Sequence, residues 1–445
     1  MDRGSAPRVL LLGALWLSIA PSAHALDLLQ SYELAKESDP AYRAAIFEKL
    51  ATDSSLRVAW SKLLPTAAAE ASYTRVRQDI KSSDNNLFAV GATSFPTKTY
   101  GVRMSQPIFR MTEWVGVSQA RAEVKQAAAE LDVAFQDLLF RVSDAYLEAL
   151  VARDELTLRE LERDALRRQR DFAQKRLDSG LGTSPDVYEA EARFALAEAD
   201  ESAAQFFLQD ALQALAEITG QLDEDLRPLA DELPLAEPEP GNPDVWVRSA
   251  LKHNPSVEAQ MQAVEAAKSE VTKQRSGHAP IIDFQASIDT EDREGSPLGG
   301  GSNVETSEYG VRVTVPIFAG GGVLFSTSRA IDLKRREQQR LVQTKRAVER
   351  EARDAFQAVR SAARRVRALK KTVEVQAVAV RSREKAVRAG VDTVLNVLNA
   401  ERELYAARRD YARGRAEYVR SVLRLEQSAG ALGVEDLQQV SEWLK

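Results

Sequence analysis

Histidines, cysteines and glycine-rich loops most often carry metal, nucleophilic or phosphate chemistry, and this chain has few of them. It contains 445 residues, with three histidines and no cysteine. His253 and His278 lack the spacing of metal ligands. The glycine runs 299–301 and 320–322 lack the lysine and the strand context that a phosphate-binding loop needs. The sequence therefore predicts that the protein is not an enzyme and binds no metal or cofactor.

Residues 1–25 have the layout of a secretory signal peptide. Arg3 and Arg8 flank an apolar run, and Ala23 and Ala25 supply the small residues of a cleavage site. Further along, no stretch approaches the roughly 18 consecutive apolar residues of a transmembrane helix. Without cysteine there is also no site for a lipid anchor at the mature N-terminus. Any membrane attachment of the mature protein must therefore come from the fold itself.

The rest of the sequence consists of two similar halves. Motifs recur about 210 residues apart, which is typical of a structural unit that is repeated around an axis or along a stack. One segment in each half contains neither glycine nor proline, from Val117 to Ser179 and from Val323 to Ala389. Each would form a helix roughly 100 Å long. The recurring motifs are Asp39-Pro40 and Asn254-Pro255, Pro65 and Pro280, Tyr100 to Arg103 and Tyr309 to Arg312, Pro107 to Phe109 and Pro316 to Phe318, Gly180 and Gly390, and Ala190-Glu191 and Ala400-Glu401.

Each long helix is predicted to fold back on a partner helix. A glycine ends each one, and a short turn at 180–185 or 390–393 precedes the next helical segment. In the first long helix, apolar residues recur at alternating spacings of three and four, as in the seam of a coiled coil. Each half therefore contains a long helical hairpin. The seam comprises Val117, Ala120, Val124, Ala127, Leu131, Ala134, Leu138 and Val142.

Four short segments break the helical period and are predicted to be β-strands. In the third, Ile282 and Phe284 alternate with Asp283, so one face is apolar and the other polar. This pattern is typical of a membrane β-barrel, although half-buried strands of soluble sheets share it. Four strands cannot close a barrel, because the smallest membrane barrels use about eight, so several copies must contribute and three would supply twelve. The predicted strands are 66–77, 99–106, 281–290 and 308–315, joined in pairs by polar loops.

The motifs that follow the predicted signal peptide and those at the two hairpin turns form a recognisable set. They are Leu28-Leu29-Gln30 with Tyr32 and Ala35, Asp39-Pro40, Leu63-Leu64-Pro65, and the tip segments from Gly180 to Glu191 and from Gly390 to Leu404, with the run Val394 to Ala400. On this set the chain resembles the TolC family of bacterial outer-membrane efflux proteins. The resemblance covers essentially the whole mature sequence, including its duplication.

The resemblance implies a mainly α fold with a small β part. Three chains would form a homotrimer, in which a twelve-stranded β-barrel in the outer membrane continues into a twelve-helix tunnel across the periplasm. The implied partners are outer-membrane lipid, a periplasmic adaptor protein and an inner-membrane transporter. The expected domains are a first repeat at 26–220, an acidic, proline-rich linker at 221–243, a second repeat at 244–430 and a tail at 431–445, with linker and tail forming a belt around the tunnel.

The chain departs from the TolC pattern at the narrow periplasmic end. Asn396 and Asn399 match positions where TolC carries aspartates. The resemblance therefore implies a constriction of neutral amides instead of carboxylates. Ordinary amides on a helix surface are the alternative interpretation.

The residues that close the tip differ as well. Asp392 matches a basic residue that, in the family, pairs with the aspartate matching Asp186. Here the two carboxylates would repel each other. We therefore expect a different tip gate, with Arg388 or Arg176 as the substitute for the missing base.

The hairpin turns are also the predicted surface for adaptor docking. A glycine at each turn can adopt the left-handed conformation that ends a helix and leaves backbone groups exposed for a partner. The predicted docking residues are Gly180, Leu181, Gly182 and Thr183 in the first turn and Gly390, Val391 and Thr393 in the second.

Two classes of function follow from these features. The first is a passive exit duct in the outer membrane, for type I protein secretion with an ABC transporter or, alternatively, for small-molecule efflux. The second is a periplasmic coiled-coil adaptor or scaffold, which would need a membrane anchor or a lipidated cysteine and would not need two strand pairs. The formal net charge of −6 argues against nucleic acid as a partner of either. The sequence names neither the cargo nor the transporter.

Overall fold

The computed structural model describes residues 25–82, 90–296, 300–389 and 391–445. The predicted signal peptide, apart from Ala25, and Gly390 lie outside the described residues. Within these ranges, no helix combines the length and the apolar character needed to cross a membrane. The elements are α1 (Leu28–Ser38), α2 (Pro40–Ser61), β1 (Thr66–Ile80), β2 (Gly91–Arg110), α3 (Met111–Asp178), α4 (Ser184–Thr219), α5 (Pro243–His253), α6 (Pro255–Arg275), β3 (Ile281–Arg293), β4 (Ser302–Thr314), α7 (Gly322–Arg388), α8 (Val394–Ala429) and α9 (Val434–Ser441).

The four strands form one antiparallel sheet in the order β1, β2, β3, β4. They are longer than the sequence predicts, since β2 runs from Gly91 through Pro107 to Arg110 and β4 begins at Ser302. Many of the added residues are serine, threonine or charged, so they lack the alternation that marks the predicted segments. Pro107 fits inside β2 because the register shifts between it and Phe109, and a bulge tolerates a residue without an N–H donor.

The connections between strands and helices set the helices side by side. α2 leads into β1 and α3 follows β2, while α6 leads into β3 and α7 follows β4. α2 and α4 pack against α3, and α6 and α8 pack against both α3 and α7. The helical part is thus a wall of four columns, with α4 at one edge and α7 at the other. Across the described part of the chain, α4 and α7 share no extensive contact.

A capping side chain followed by proline starts α2 and α6, at equivalent places in the two halves. Asp39 accepts hydrogen bonds from two backbone N–H groups at 3.1 and 3.3 Å, and Asn254 accepts one at 2.9 Å. The proline that follows each cap does not destabilise the helix, because an N–H group in the first turn has no carbonyl partner within the helix. Asp39 also pairs with Arg141 of α3 at 2.6 Å, which ties α2 to the wall.

The main core lies where the linker and the tail cross the helices. Tyr32, Tyr146, Phe356 and Tyr418 are buried there together. The Tyr146 hydroxyl donates to the carbonyl oxygen of Leu26 at 2.9 Å, and the Tyr418 hydroxyl bonds backbone groups of the linker. The sequence predicts no secondary structure for the tail, but the tail contains helix α9. The end of the tail pairs with the linker. Linker and tail therefore hold helices of both halves in one core.

Candidate functional site: strand faces and hairpin tips

The sheet has one apolar and one polar face. The register places Val102 opposite Ile288 and Phe284 opposite Val311, so apolar side chains of neighbouring strands share a face. On the other face, Arg103 of β2 lies between Glu70 of β1 at 3.4 Å and Asp289 of β3 at 3.9 Å. A sheet with lipid on one side and water on the other has this division. Exposed residues of the apolar face include Val102, Ile288, Tyr309, Val311 and Val313, which are 54% to 84% exposed.

Two tryptophans lie where the strands meet the helices. Trp60 near the end of α2 and Trp114 at the start of α3 have ring centroids 6.1 Å apart, and both are exposed. The guanidinium of Arg121 lies 5.6 Å from the Trp60 ring. Aromatic girdles of this kind flank the apolar band of membrane barrels, because an indole is stable where hydrocarbon meets water. The helices therefore begin at the expected edge of the membrane.

The first hairpin tip is a helix-ending turn that leaves the next helix capped. Gly180 has a φ of 72°, and the N–H of Leu181 bonds the carbonyl oxygen of Arg176 at 2.8 Å. A Cβ on Gly182 would lie 2.9 Å from the nitrogen of Leu177, so only glycine fits there. Thr183 donates its hydroxyl to the Asp186 carboxylate at 2.7 Å in the capping box of α4.

The second tip is closed by the Asp392 carboxylate. This group accepts hydrogen bonds from the Thr393 N–H at 2.8 Å and from the Asn396 side-chain amide at 2.6 Å, and it lies 3.5 Å from Arg383 of α7. The hydrogen bond from Asn396 is the largest of the effects that hold the pKa of Asp392 below its usual value. Val391 repeats the backbone bond of the first tip, at 3.0 Å to Ala386. Gly390 lies outside the described residues.

The two predicted constriction residues have partners inside the chain. Asn396 donates to Asp392, and the Asn399 side-chain oxygen accepts from Arg193 of α4 at 3.3 Å. Arg193 also pairs with Glu189, so α4 and α8 are linked near the tips. A constriction formed by Asn396 and Asn399 therefore stays a prediction for the assembled protein.

The contacts of the predicted gate residues are local. Asp186 caps α4, Arg176 donates to the carbonyl oxygen of Leu181 at 2.9 Å, and Arg388 lies 3.9 Å from Glu384. Among the described residues, the polar contacts of both arginines are thus within their own hairpin. A lock between Asp186 and either arginine stays a prediction.

Sequence reasoning missed the Arg383–Asp392 and Arg193–Asn399 contacts. The first joins residues on either side of a turn, and a base nine positions before an acid was the signal that could have revealed it. The second joins the two halves of the chain, for which the sequence carries no local signal. Together the tips border a half-open cavity of about 310 Å³ between α3, α4 and the start of α8. Phe172, Arg176, Asp186 and Leu398 are among the residues that line it.

A two-faced sheet that continues into two long helical hairpins defines the wall of an outer-membrane channel-tunnel. The chain belongs to the outer membrane efflux protein family, whose model matches residues 31–221 and again residues 246–431. This confirms the resemblance seen in the sequence. Members of this family lie in the outer membrane and extend into the periplasm.

Individual proteins and structures agree with this assignment. The chain is 30% identical to the alkaline protease secretion protein AprF of Pseudomonas aeruginosa, over 97% of this chain and 90% of that protein. It is 27% identical to the outer membrane protein TolC of Vibrio cholerae, over 96% of each chain. The crystal structure of the Campylobacter jejuni CmeC outer membrane channel matches with a TM-score of 0.80 at 14% identity, over 100% of this chain and 98% of that one. The last comparison shows the fold alone.

Proposed function

We propose that three copies of this chain form a passive exit duct across the outer membrane and the periplasm. The observation that carries the proposal is the four-stranded sheet, which has an exposed apolar face and two open edges at β1 and β4. Open strand edges cannot face lipid, because their backbone groups would have no partners there. Three copies joined from β4 to β1 supply twelve strands, which exceeds the roughly eight of the smallest membrane barrels. The four helical columns of each copy then continue the barrel as a tunnel.

The cargo that we propose is a protein substrate of type I secretion. An inner-membrane ABC transporter would deliver it through a periplasmic adaptor, so energy comes from the partner and the duct itself catalyses nothing. Support comes from the relative AprF, whose name assigns it to the secretion of alkaline protease. Small-molecule efflux is the second candidate, because the matching family is named for efflux.

We assign adaptor docking to the two hairpin turns and the periplasmic constriction to Asn396 and Asn399. The exposure of the turn after Gly180 supports docking, since Leu181 is 72% exposed there. In the closed trimer Arg388 and Arg176 remain the candidates for holding Asp186. The linker 221–243 and the tail 431–445 would form the belt around the tunnel.

Two measurements test this proposal. The mass of the protein extracted from outer membranes in detergent should correspond to three chains. Cells that also express the cognate ABC transporter and adaptor should release the protein substrate of that transporter into the medium, and deletion of this chain should abolish the release. Drug sensitivity of the deletion strain without a secretion defect would favour small-molecule efflux. Recovery as a soluble periplasmic monomer would refute the duct and favour an adaptor.

A further inference from the structure

The two hairpins have the same fold but opposite charge. α4 contains eight acidic residues and one basic residue, whereas α7 contains nineteen basic and seven acidic residues. The inner helices are closer to balance, with fourteen acidic and eleven basic residues in α3 and five acidic and seven basic in α8. The excess charge therefore lies on α4 and α7, the two columns at the free edges of the wall.

The same two edges expose large apolar side chains. Scattered apolar residues are normal on a surface, but aromatic residues grouped on one helix mark an interaction site. On α4, Phe206 and Phe207 are in contact with each other and open to solvent. The exposed large apolar residues of the two edges are Tyr188, Leu196, Phe206 and Phe207 on α4 and Leu324, Phe325, Val342, Val375 and Val378 on α7.

The internal duplication shows how such an edge looks when it is covered. α4 and α8 are both 36 residues long, and each is followed by a left-handed glycine, Gly220 or Gly430. Within the chain, α8 packs against α3 in the seam between the two hairpins. There Arg409 of α8 lies 3.1 Å from Glu162 and 3.5 Å from Glu155 of α3. In these pairs of the covered seam the base is thus on α8 and the acids are on α3.

The free edges do not repeat the charged pairs that Arg409 makes in this seam. In the repeat, α4 takes the place of α8, so Ala199 stands where Arg409 stands and Glu198 stands where Arg408 stands. In the same way α7 takes the place of α3, and Arg365 stands where Glu155 stands. In the described part of the chain, Glu198 and Arg365 are exposed and form no ion pair, and the same holds for Glu191 and Arg381.

We infer that the acidic edge α4 of one copy docks on the basic edge α7 of a second copy, and that the opposite charge of the hairpins selects this pairing. Contacts of α4 with α4, or of α7 with α7, would bring like charges together, which costs several kcal/mol in interfaces of this kind. Flanking charges choose partners in the same way in coiled coils. Each copy then offers one acidic and one basic edge, so the copies join head to tail into a closed ring. This inference rests on the proposed trimer and adds which edges meet and why.

Charge reversal on each edge tests the pairing. Glu191→Arg with Glu198→Arg on α4 should lower the fraction of trimer in detergent on the order of tenfold, and Arg365→Glu with Arg381→Glu on α7 should do the same. The chain that carries all four changes should recover trimers, because the changed positions of the two edges are again opposite in charge. Trimers at the wild-type level in both double variants, or no recovery in the fourfold variant, would overturn the inference.

A matched control separates edge pairing from a simple change in net charge. Glu258→Arg with Glu265→Arg makes the same change on exposed residues of α6, which packs between α3 and α7 and so has no free edge. This control should remain trimeric. A monomeric wild type would refute the proposed trimer and this inference with it. If the wild type is trimeric and the charge-reversal variants are equally trimeric, only the edge pairing is refuted.

Cross-linking locates the contact directly, because the chain has no cysteine of its own. In the repeat, Ala199 and Thr372 take the places of Arg409 and Glu162, whose side chains form an ion pair with 3.1 Å between the charged atoms. Ala199→Cys with Thr372→Cys should therefore give covalent dimers and trimers with a short bismaleimide. Cross-links from Ala199→Cys alone would show α4 against α4 and would overturn the inference.

Discussion

The register of the sheet makes a quantitative prediction for one side chain on its apolar face. Ile288 lies in the middle of β3 opposite Val102, and it is 57% exposed. An arginine there would place a cation on the face that we assign to lipid, at a cost of ~2 to 4 kcal/mol near the membrane midplane. A trimer contains this change three times, so the penalty reaches ~6 to 12 kcal/mol per assembly. That is comparable with the whole stability of many domains. We therefore expect Ile288→Arg to abolish trimers in the outer membrane.

Gln285→Arg is the matched control in the same strand. Gln285 lies on the opposite face, between Ser105 and Gly310, and that face already carries Arg103 and Arg312. An arginine at this position would be hydrated in the lumen, so trimers should persist. The assay is fractionation of the membranes followed by electrophoresis of unheated and heated samples. Equal loss of trimer in both variants would refute the register, and a stable Ile288→Arg trimer would refute the assignment of lipid to this face.

Three further predictions test the tips and the core. Gly180→Val should abolish export while trimers remain, because φ at Gly180 is 72° and a branched residue costs ~1 to 2 kcal/mol in this conformation. Gly180→Asn, which tolerates it, should retain export, and normal export by the valine variant would remove the tip from docking. In planar bilayers the wild-type pore should be only weakly blocked by hexaamminecobalt from the periplasmic side. Asn396→Asp with Asn399→Asp should create a block that fades at low pH, since crowded carboxylates have raised pKa values. An unchanged block would show that these residues do not form the constriction. Burial, aided by the nearby Asp436, raises the pKa of Glu426 from 4.5 to about 7. The folded state therefore holds an extra proton between these values, and stability falls as pH rises through them. Glu426→Gln should raise the midpoint of unfolding at about pH 8 but not at about pH 5, and by less than ~3 kcal/mol per chain, because water reaches part of this side chain and screens its charge. Equal shifts at both would contradict the assigned pKa.

Glycine and proline residues explain why the sequence predicts the ends of the helices well. Glycine and proline have conformational limits that act locally, so the end of α3 near Gly180 and the start of α4 after Thr183 follow from the residue types alone. The coiled-coil seam is also predicted from a local pattern, the spacing of its apolar residues. Val117, Ala120 and Leu138 are buried in α3, because helical spacing decides which residues share a face.

Contacts between distant segments account for what the sequence does not predict. The outer parts of β2 and β4 are held by pairing with their neighbours, so polar residues such as Ser302 become strand without any alternation of their own. The end of the tail becomes helix α9 over buried Leu437 and Val440, which pack into a core supplied by other helices. The intrinsic preference of such short segments for helix or strand is weak, so tertiary packing decides their structure.

The strength of the contact between the hairpins changes along their length, and this gradient suits a duct that must open at one end. High in the seam, Arg409 is paired with both Glu155 and Glu162 of α3. Near the tips, the described link is the 3.3 Å hydrogen bond from Arg193 to Asn399, and one such bond contributes about 0.5 to 1.5 kcal/mol. Each tip is capped by bonds within its own hairpin, so breaking this link unfolds neither helix. We therefore predict that the two hairpins separate more easily below Arg409 than above it.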